Sequence, residues 1–278
     1  MPFSIVVDSC CDLTERMEEI GLYRSVPLSI YVGGREFRDD ARLDVAELVD
    51  AMAACQEASH SSCPSPADYL SAYESCEGDI YVVTLSALLS GSCNSAWQAA
   101  RLFLEEHPER RVHVFNSCSA SAGETLIAGR TAQLAGSGLP FDEVVSGVNS
   151  YITGMQTLFV LDNLDNLKKA GRLTKAQALI TGALRVKLVM GSTPEGEICK
   201  RGQALSTRQA LSKMTSLMAA DPGHRGRILC ITHCLCRERA DELAVMAQKY
   251  CDFSRVIITR TRGISSFYAN AGGIIAAY

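Results

Sequence analysis

Short apolar, β-branched runs alternate along this chain with stretches whose apolar residues recur every three or four positions. Ser4-Ile-Val-Val-Asp8, Ile80-Tyr-Val-Val83 and Arg111-Val-His-Val-Phe115 are short and almost continuously apolar, which predicts buried strands. Each leads through a polar turn into a helical pattern. A helix begins near Asp12 to Thr14, with Glu15, Glu18 and Glu19 suited to its first turns. Another carries Ala96, Ala99, Ala100, Phe103 and Leu104 on one face, and a third runs from about Gly123 to Leu134. Strands alternating with helices at this spacing predict a parallel, doubly wound sheet. Ligands bind such sheets beyond the carboxyl ends of the strands. Asp8, Ser9, Ser90, Gly91, Asn116 and Ser117 fall on that rim.

The intervening segments fill in the picture. Tyr23 to Val32 reads as one or two strands, with Gly33-Gly34 as a hairpin turn leading to Glu36-Phe37. Asp44 caps a helix reaching about Cys55, whose apolar face is Val45, Leu48, Val49 and Met52. His60-Ser-Ser-Cys-Pro-Ser-Pro66 is a stiff extended loop before a helix carrying Tyr69, Leu70 and Tyr73. After a linker at Gly136 to Pro140 come a helix from Phe141 to Tyr151 and a strand from Met155 to Leu161. Strict alternation then ends. A short helix covers Asp162 to Arg172, and Leu173 to Leu184 is mixed. Two strands flank the Pro194-Glu195-Gly196 turn, and a helix spans Ser206 to Ala219. Strands at Arg227 to Thr232 and Ser254 to Thr259 enclose a helix from Arg237 to Tyr250. The expected architecture is therefore α/β in two α/β domains. Residues 1–153 form a Rossmann-like parallel domain and 154–278 a mixed-sheet domain, with residues 56–78 able to pack on the second.

Composition narrows the function classes. The 278 residues are 47% hydrophobic and 21% charged, enough for a sizeable core. The net charge of −4 gives no electrostatic basis for binding nucleic acid or an acidic membrane. No apolar run approaches a membrane span, so no membrane insertion is expected. Met1-Pro-Phe-Ser-Ile-Val-Val-Asp8 lacks the basic and apolar regions of a signal peptide, so a cytoplasmic location is expected. The 12 cysteines are then mostly reduced thiols. Cys230-Ile-Thr-His233-Cys234-Leu-Cys236 lacks a second ligand pair at zinc spacing and reads as a strand and turn, so no metal is expected.

The stretch richest in chemistry is Ser86 to Ser92. Between Ile80 and Ala100 there is no Lys, Arg, Asp, Glu or His. A ligand bound there would be held by hydroxyls and amides. Ser is a good helix cap, Gly91 permits close approach of a ligand, and a helix start suits a small anion. Taken alone, the same turn also describes an ordinary cap, and the Ser61-Ser62 loop an ordinary connector.

Five stretches in order along the chain resemble the DegV family of bacterial fatty-acid-binding proteins. Ile5-Val-Val-Asp-Ser-Cys-Cys-Asp-Leu13 is similar to its opening strand and Asp-Ser turn, and Ser61-Ser-Cys-Pro-Ser65 to its Thr-Ser-Gln-Pro-Ser loop. Leu85-Ser-Ala-Leu-Leu-Ser-Gly-Ser-Cys-Asn-Ser-Ala96 resembles its Ile-Ser-Ser-x-Leu-Ser-Gly-Thr-x-Gln-Ser-Ala segment. Asn116-Ser117 matches its Asp-Ser pair, and Leu164 to Leu173 its Leu-x-x-Leu-Lys-Lys-Gly-Gly-Arg-Ile stretch. The resemblance implies two domains of DegV type enclosing a long-chain fatty acid. The protein would be no enzyme alone and need no cofactor. It would present the carboxylate to a separate ATP-dependent fatty-acid kinase that feeds phospholipid synthesis. By motif, Ser61, Ser62 and Ser90, with the Gly91 and Ser92 amides, would hold the carboxylate. Arg172 and Arg201 would face the kinase or its nucleotide. Asn270 stands where many members have a His, Cys63 replaces a Gln and Ala170 the first Gly of the Gly-Gly-Arg. Apolarity nominates Ile180, Leu184, Ile264 and Phe267 for the acyl chain. A monomer or weak dimer is expected.

Two other classes compete. A hydrolase of acyl substrates using Ser90 or a rim Cys would want a Gly-x-Ser-x-Gly elbow, which is missing, and His60, His107, His113, His224 and His233 have no evident partner role. A self-sufficient kinase would want a phosphate-binding glycine motif, also missing. Cys10, Cys11, Cys63, Cys93 and Cys118 all fall on the expected rim, either as stand-ins for Ser or Gln or as an oxidation-sensitive set.

Overall fold

A computed structural model describes residues 2–57, 59–173 and 186–278. The first sheet is wholly parallel, in the order β2–β1–β6–β7, from β1 (Phe3–Asp8), β2 (Tyr23–Val26), β6 (Asp79–Thr84) and β7 (Val112–Asn116). Its central strands are covered on both faces, which is why they read as unbroken apolar runs rather than alternating ones. Ile5, Val7, Tyr81 and Val83 point to one side and pack on α5 (Ala122–Gly136) and α6 (Phe141–Thr153). Val6, Ile80 and Val82 point to the other and meet α3 (Pro66–Glu74) and α4 (Ser92–Glu106) through Tyr69, Tyr73, Ala96 and Phe103. A short α1 (Glu15–Glu19) follows β1, and α2 (Val45–Ala54) starts on the Asp44 cap.

A small antiparallel sheet, β4–β3–β5, lies between the larger ones. It is built from β3 (Ser29–Val32), β4 (Arg35–Arg38) and β5 (His60–Ser62). Gly33 and Gly34 both have positive φ, 56° and 76°, and make the two-residue hairpin that the sequence predicts. The strand β5 is a correction, because the sequence reads these residues as a loop. They pair with Ser29 to Tyr31 just ahead of the two prolines. Among the described residues of 56–78, α3 lies on the first sheet against α4, and β5 reaches toward the later part of the chain, where Ser61 meets Tyr268.

The third sheet is mixed, in the order β10–β9–β8–β13–β11–β12. It comprises β8 (Thr157–Val160), β9 (Lys187–Ser192), β10 (Ile198–Ala204), β11 (Ile228–His233), β12 (Arg255–Arg260) and β13 (Ile274–Ala277). Its helices are α7 (Asp165–Lys169), α8 (Thr207–Ala220), α9 (Arg237–Tyr250) and α10 (Gly263–Ala269). Among the described residues, only β11 and β12 run parallel in it. The last strand, β13, sits centrally between β8 and β11. Four residues ending in Ala-Ala carry little strand signal, so neither β13 nor α10 was legible.

The two large sheets join through polar and apolar contacts. Cys230 and Ala277 enter the core formed with α5. Ser119 and Thr157 share a hydrogen bond of 2.7 Å, as do Ser121 and Thr232 at 2.6 Å. The turn between β9 and β10 docks on the first sheet, where Ser86 Oγ donates to the Gly196 carbonyl at 2.9 Å. Gly196 has φ +91°, and a Cβ there would lie 2.7 Å from the Cys118 Cα and strike the Ser86 hydroxyl. Gly196→Ala should therefore cost about 2 kcal/mol or more in urea unfolding. An unchanged midpoint would show that this docking does not couple the sheets.

Candidate anion-binding site

The turn after β6 is shaped by Asp8, at the end of β1. One Asp8 oxygen accepts the Leu85 N–H at 3.0 Å and the Ser92 hydroxyl at 2.7 Å, so it ties the entry of the turn to its exit. The other accepts the Cys10 N–H at 3.1 Å. The Ser92 hydroxyl also meets Tyr69 at 2.6 Å and is fully buried. This corrects one detail of the sequence expectation. The helix starts at Ser92 with Gly91 as its cap residue, and the Ser92 side chain turns inward. Ser90 Oγ accepts the Ser92 N–H at 3.2 Å, so that amide is already engaged. Ser90 is half-buried and Gly91 exposed. The Cys93 and Asn94 amides of the first turn have no acceptor within the helix.

The second turn arrives on β5. Ser61 pairs with Ile30, which is buried, and Ser62 pairs with Ser29. Successive strand side chains face opposite ways. Ser61 therefore turns to the inner face, where its hydroxyl and that of Tyr268 are 2.9 Å apart. The Ser62 side chain is exposed on the outer face with His60, whose ring stacks on Tyr31 at 4.8 Å. The expected pair of hydroxyls is thus split. Just beyond, the Cys63 sulfur lies 3.1 Å from where a Cβ on Gly91 would sit. A side chain at Gly91 would press on the Cys63 sulfur, so the two turns approach closely at this glycine.

Behind this junction lies an apolar cluster of Leu28, Ile30, Phe37, Leu48, Ile264 and Phe267, with Leu89 and Tyr268 at its margin. Ile180 and Leu184 lie outside the described residues. The cluster depends on α10, which is pinned by two buried carboxylates from the first part of the chain. Asp39 accepts the Gly263 and Ile264 N–H groups, both at 2.8 Å. Asp12 accepts the Arg262 N–H at 2.6 Å and the Ser121 hydroxyl. Burial pushes Asp12 up to about 7 and Asp39 up to about 6, against the hydrogen bonds that favour their charged forms. Asn270 follows α10 with φ +54° and ψ 169°, a backbone region that glycine favours and that strains any other residue, and is half-buried.

The two arginines differ. Arg172 Nε donates to the Leu89 carbonyl at 3.0 Å, directly against the Ser90 turn. It borders a groove of about 410 Å³ together with Leu88, Ser90, Gly91, Asn94 and Trp97. Arg201 is exposed on β10 and donates to the Ser192 carbonyl at 2.7 Å. The rim cysteines do not form one accessible set. Cys10, Cys11 and Cys93 are buried, Cys118 is half-buried and Cys63 is exposed. Burial also pushes the Cys10 and Cys11 thiols well up, away from the reactive thiolate. Among the described residues, no histidine bonds to Ser90, so the hydrolase arrangement is not assembled. Tyr268, Asp12 and Asp39 are contributors that the sequence did not single out. Each acts across more than 200 residues of chain, and no local pattern announces such a pairing.

The fold and site define a class: an α/β protein with a parallel four-stranded sheet, a separate mixed sheet, and a hydroxyl-rich junction over an apolar cluster. The family model described as "Uncharacterised protein, DegV family" matches residues 2–277, and the chain belongs to that family. A DegV domain-containing protein of Streptococcus gordonii is 35% identical, with 100% of this chain and 99% of that protein covered. A DegV-family protein of Ruminococcus gnavus, refined with vaccenic acid, has 43% identity and a TM-score of 0.95, covering 99% of each chain. The Streptococcus pneumoniae Fatty Acid Kinase (Fak) B3 protein, solved loaded with linoleic acid, has 32% identity and a TM-score of 0.90 over 100% of this chain and 99% of that one. A DegV-family protein of Eubacterium eligens loaded with heptadecanoic acid has 29% identity and a TM-score of 0.90, covering 99% and 98%.

The raised carboxyls give a signed expectation. Asp12 holds its proton more tightly in the folded chain than unfolded, where its pKa is about 3.9. Its contribution is full below about pH 4 and is lost as pH rises through about 7. The stability gap between wild type and Asp12→Asn should therefore shrink by roughly 1–3 kcal/mol between pH 5 and 8, read by urea unfolding. A gap that widens over that range would contradict the assignment.

Proposed function

We propose that this protein binds a long-chain fatty acid between its two lobes, residues 1–153 and 154–278, and presents the carboxylate to a separate ATP-dependent fatty-acid kinase. The observation that carries this reading is the meeting of the Ser61–Cys63 strand end with Ser90-Gly91, directly over the Ile264–Phe267 cluster. Three solved relatives bound to vaccenic, linoleic or heptadecanoic acid support it, and the kinase-named relative supports the partner.

The energetics divide naturally. A carboxylate removed from water needs several donors. Ser61, Ser90 and the Gly91 amide supply them, with Tyr268 orienting Ser61 and Asn270 and the Ser62 main chain at the edge. Each charge-assisted bond contributes roughly 1.5–3 kcal/mol. Each buried CH₂ adds about 0.8 kcal/mol, so the tail supplies most of the affinity and tail-lining residues such as Ile264 and Phe267 set its fit. Uncharged donors leave the carboxylate nucleophilic. Its oxygen attacks the γ-phosphorus of ATP on the kinase, ADP departs, and an acyl phosphate results. Arg172 and Arg201 face the kinase, and this chain contributes no catalytic group or cofactor.

Delipidated protein should take up about one equivalent of oleic acid, read by organic extraction and mass spectrometry. Ser61→Ala and Ser90→Ala should each weaken binding about tenfold, while Ser62→Ala stays within about twofold. Arg201→Ala should keep its fatty acid but yield less acyl phosphate with the kinase. Failure of wild type to retain any fatty acid, or esterase turnover lost in Ser90→Ala, would overturn the reading.

A further inference from the structure

Glu124 plays no part in the ligand site described above, yet its setting is unusual. It lies in the first turn of α5 and is fully buried, and neither carboxyl oxygen meets a donor. One of its oxygens, one Asp8 oxygen and the Cys10 sulfur lie within 4.8 Å of one another. Asp8 is richly served, with the Cys10 and Leu85 amides and the Ser92 hydroxyl all directed at it. An ionised Glu124 would place its oxygens beside a second carboxylate in a dry core, with only the weakly donating Cys10 thiol near them. Desolvation and like charge both oppose that state. With a proton, Glu124 becomes a donor, and Asp8 is the acceptor within reach.

We propose that Glu124 keeps its proton at neutral pH and donates it to Asp8, so that the two carboxyls carry one charge and Asp8 is fixed as the positioning residue for the Ser86–Ser92 turn. The second half of this statement rests on the fatty-acid reading, and the first half does not. The groups facing the pair are Cys10, Cys11 and Asp12 from the loop after β1, Asp39 from the end of β4, Tyr69 of α3 behind Ser92, and Cys93 of α4. All six are acids, so ionisation of any of them adds like charge and holds the shared proton more firmly. Burial, followed by the nearby Asp8, pushes Glu124 well above the usual carboxyl range.

Geometry links the pair to the anion site. Asp8 holds Leu85 and Ser92, the two ends of the turn that carries Ser90 and Gly91. A second negative charge at Glu124 would push on Asp8 and loosen both grips. The buried pair thus sets the frame of the turn from behind, without touching the ligand.

Infrared difference spectra of delipidated protein test the proton directly. They should be taken at pH 9, above the range in which Asp12 and Asp39 titrate, comparing wild type with Glu124→Gln. Wild type should show the carbonyl stretch of a protonated, hydrogen-bonded carboxylic acid, shifted in D₂O and missing from the variant. If no acid band depends on Glu124, or if elemental analysis finds a stoichiometric metal ion in the native protein, the shared proton is overturned. For positioning, Glu124→Leu should weaken oleic acid binding about tenfold, and Glu124→Gln, whose amide also donates, should restore most of the loss. Wild-type affinity should fall at alkaline pH where that of Glu124→Gln does not. Parallel pH profiles, or wild-type affinity in Glu124→Leu, would overturn the positioning role. If wild type binds no fatty acid at all, the functional reading fails while the infrared band still decides the proton.

Discussion

A carboxyl group taken out of water must be met by donors or keep its proton, and that constraint organises this molecule twice over. It first acts on the protein's own side chains. Asp8, Asp12 and Asp39 are buried near the junction of the sheets, and between them they collect amides from Cys10, Leu85, Arg262, Gly263 and Ile264. Those bonds hold the Ser90 turn through Asp8 and α10 through Asp12 and Asp39, while Leu85 and Leu89 of the turn pack with Ile264 and Phe267 of α10. In the proposed function the same constraint applies a second time, to the head of the bound acid.

The two cases are met differently. The protein's carboxyls are sealed, and the raised values of Asp12 and Asp39 record the cost of removing them from solvent. The ligand's carboxylate would meet hydroxyls and amides at a half-open junction, with no lysine or arginine in the turn itself. Arg172 stands close by, but its Nε is directed to the Leu89 carbonyl, where it braces the turn from the side. Binding would therefore draw its strength from the acyl chain and its orientation from neutral donors, leaving the reacting oxygen uncompensated by a fixed cation.

Much of this was legible in the chain. The parallel sheet announced itself because its strands are buried on both faces and so are continuously apolar. The Ser-Gly-Ser turn was visible because a charge-free stretch joins a strand to a helix. The division of labour within the turns was not. Ser92 points inward because Asp8, 84 positions earlier, claims its hydroxyl, and Ser61 and Ser62 separate because β5 is a strand whose side chains must alternate. Tyr268 and α10 escaped for a similar reason. Seven helical residues without a cap signature are held by carboxylates from the other end of the chain. Local pattern reveals elements, whereas these contacts exist only after the sheets have docked.

The central claim concerns the electrical character of the head-group site. The most direct test is carbon NMR of oleic acid labelled with carbon-13 at its carboxyl, bound to delipidated protein and titrated with acid. The account predicts a single bound carboxyl resonance, distinct from free acid, whose position responds to Ser90→Ala and which shows no signature of an ion pair with Arg172 or Arg201. A resonance that titrates like acid free in solution, or that shifts on removing either arginine's charge but not on changing Ser90, would contradict it.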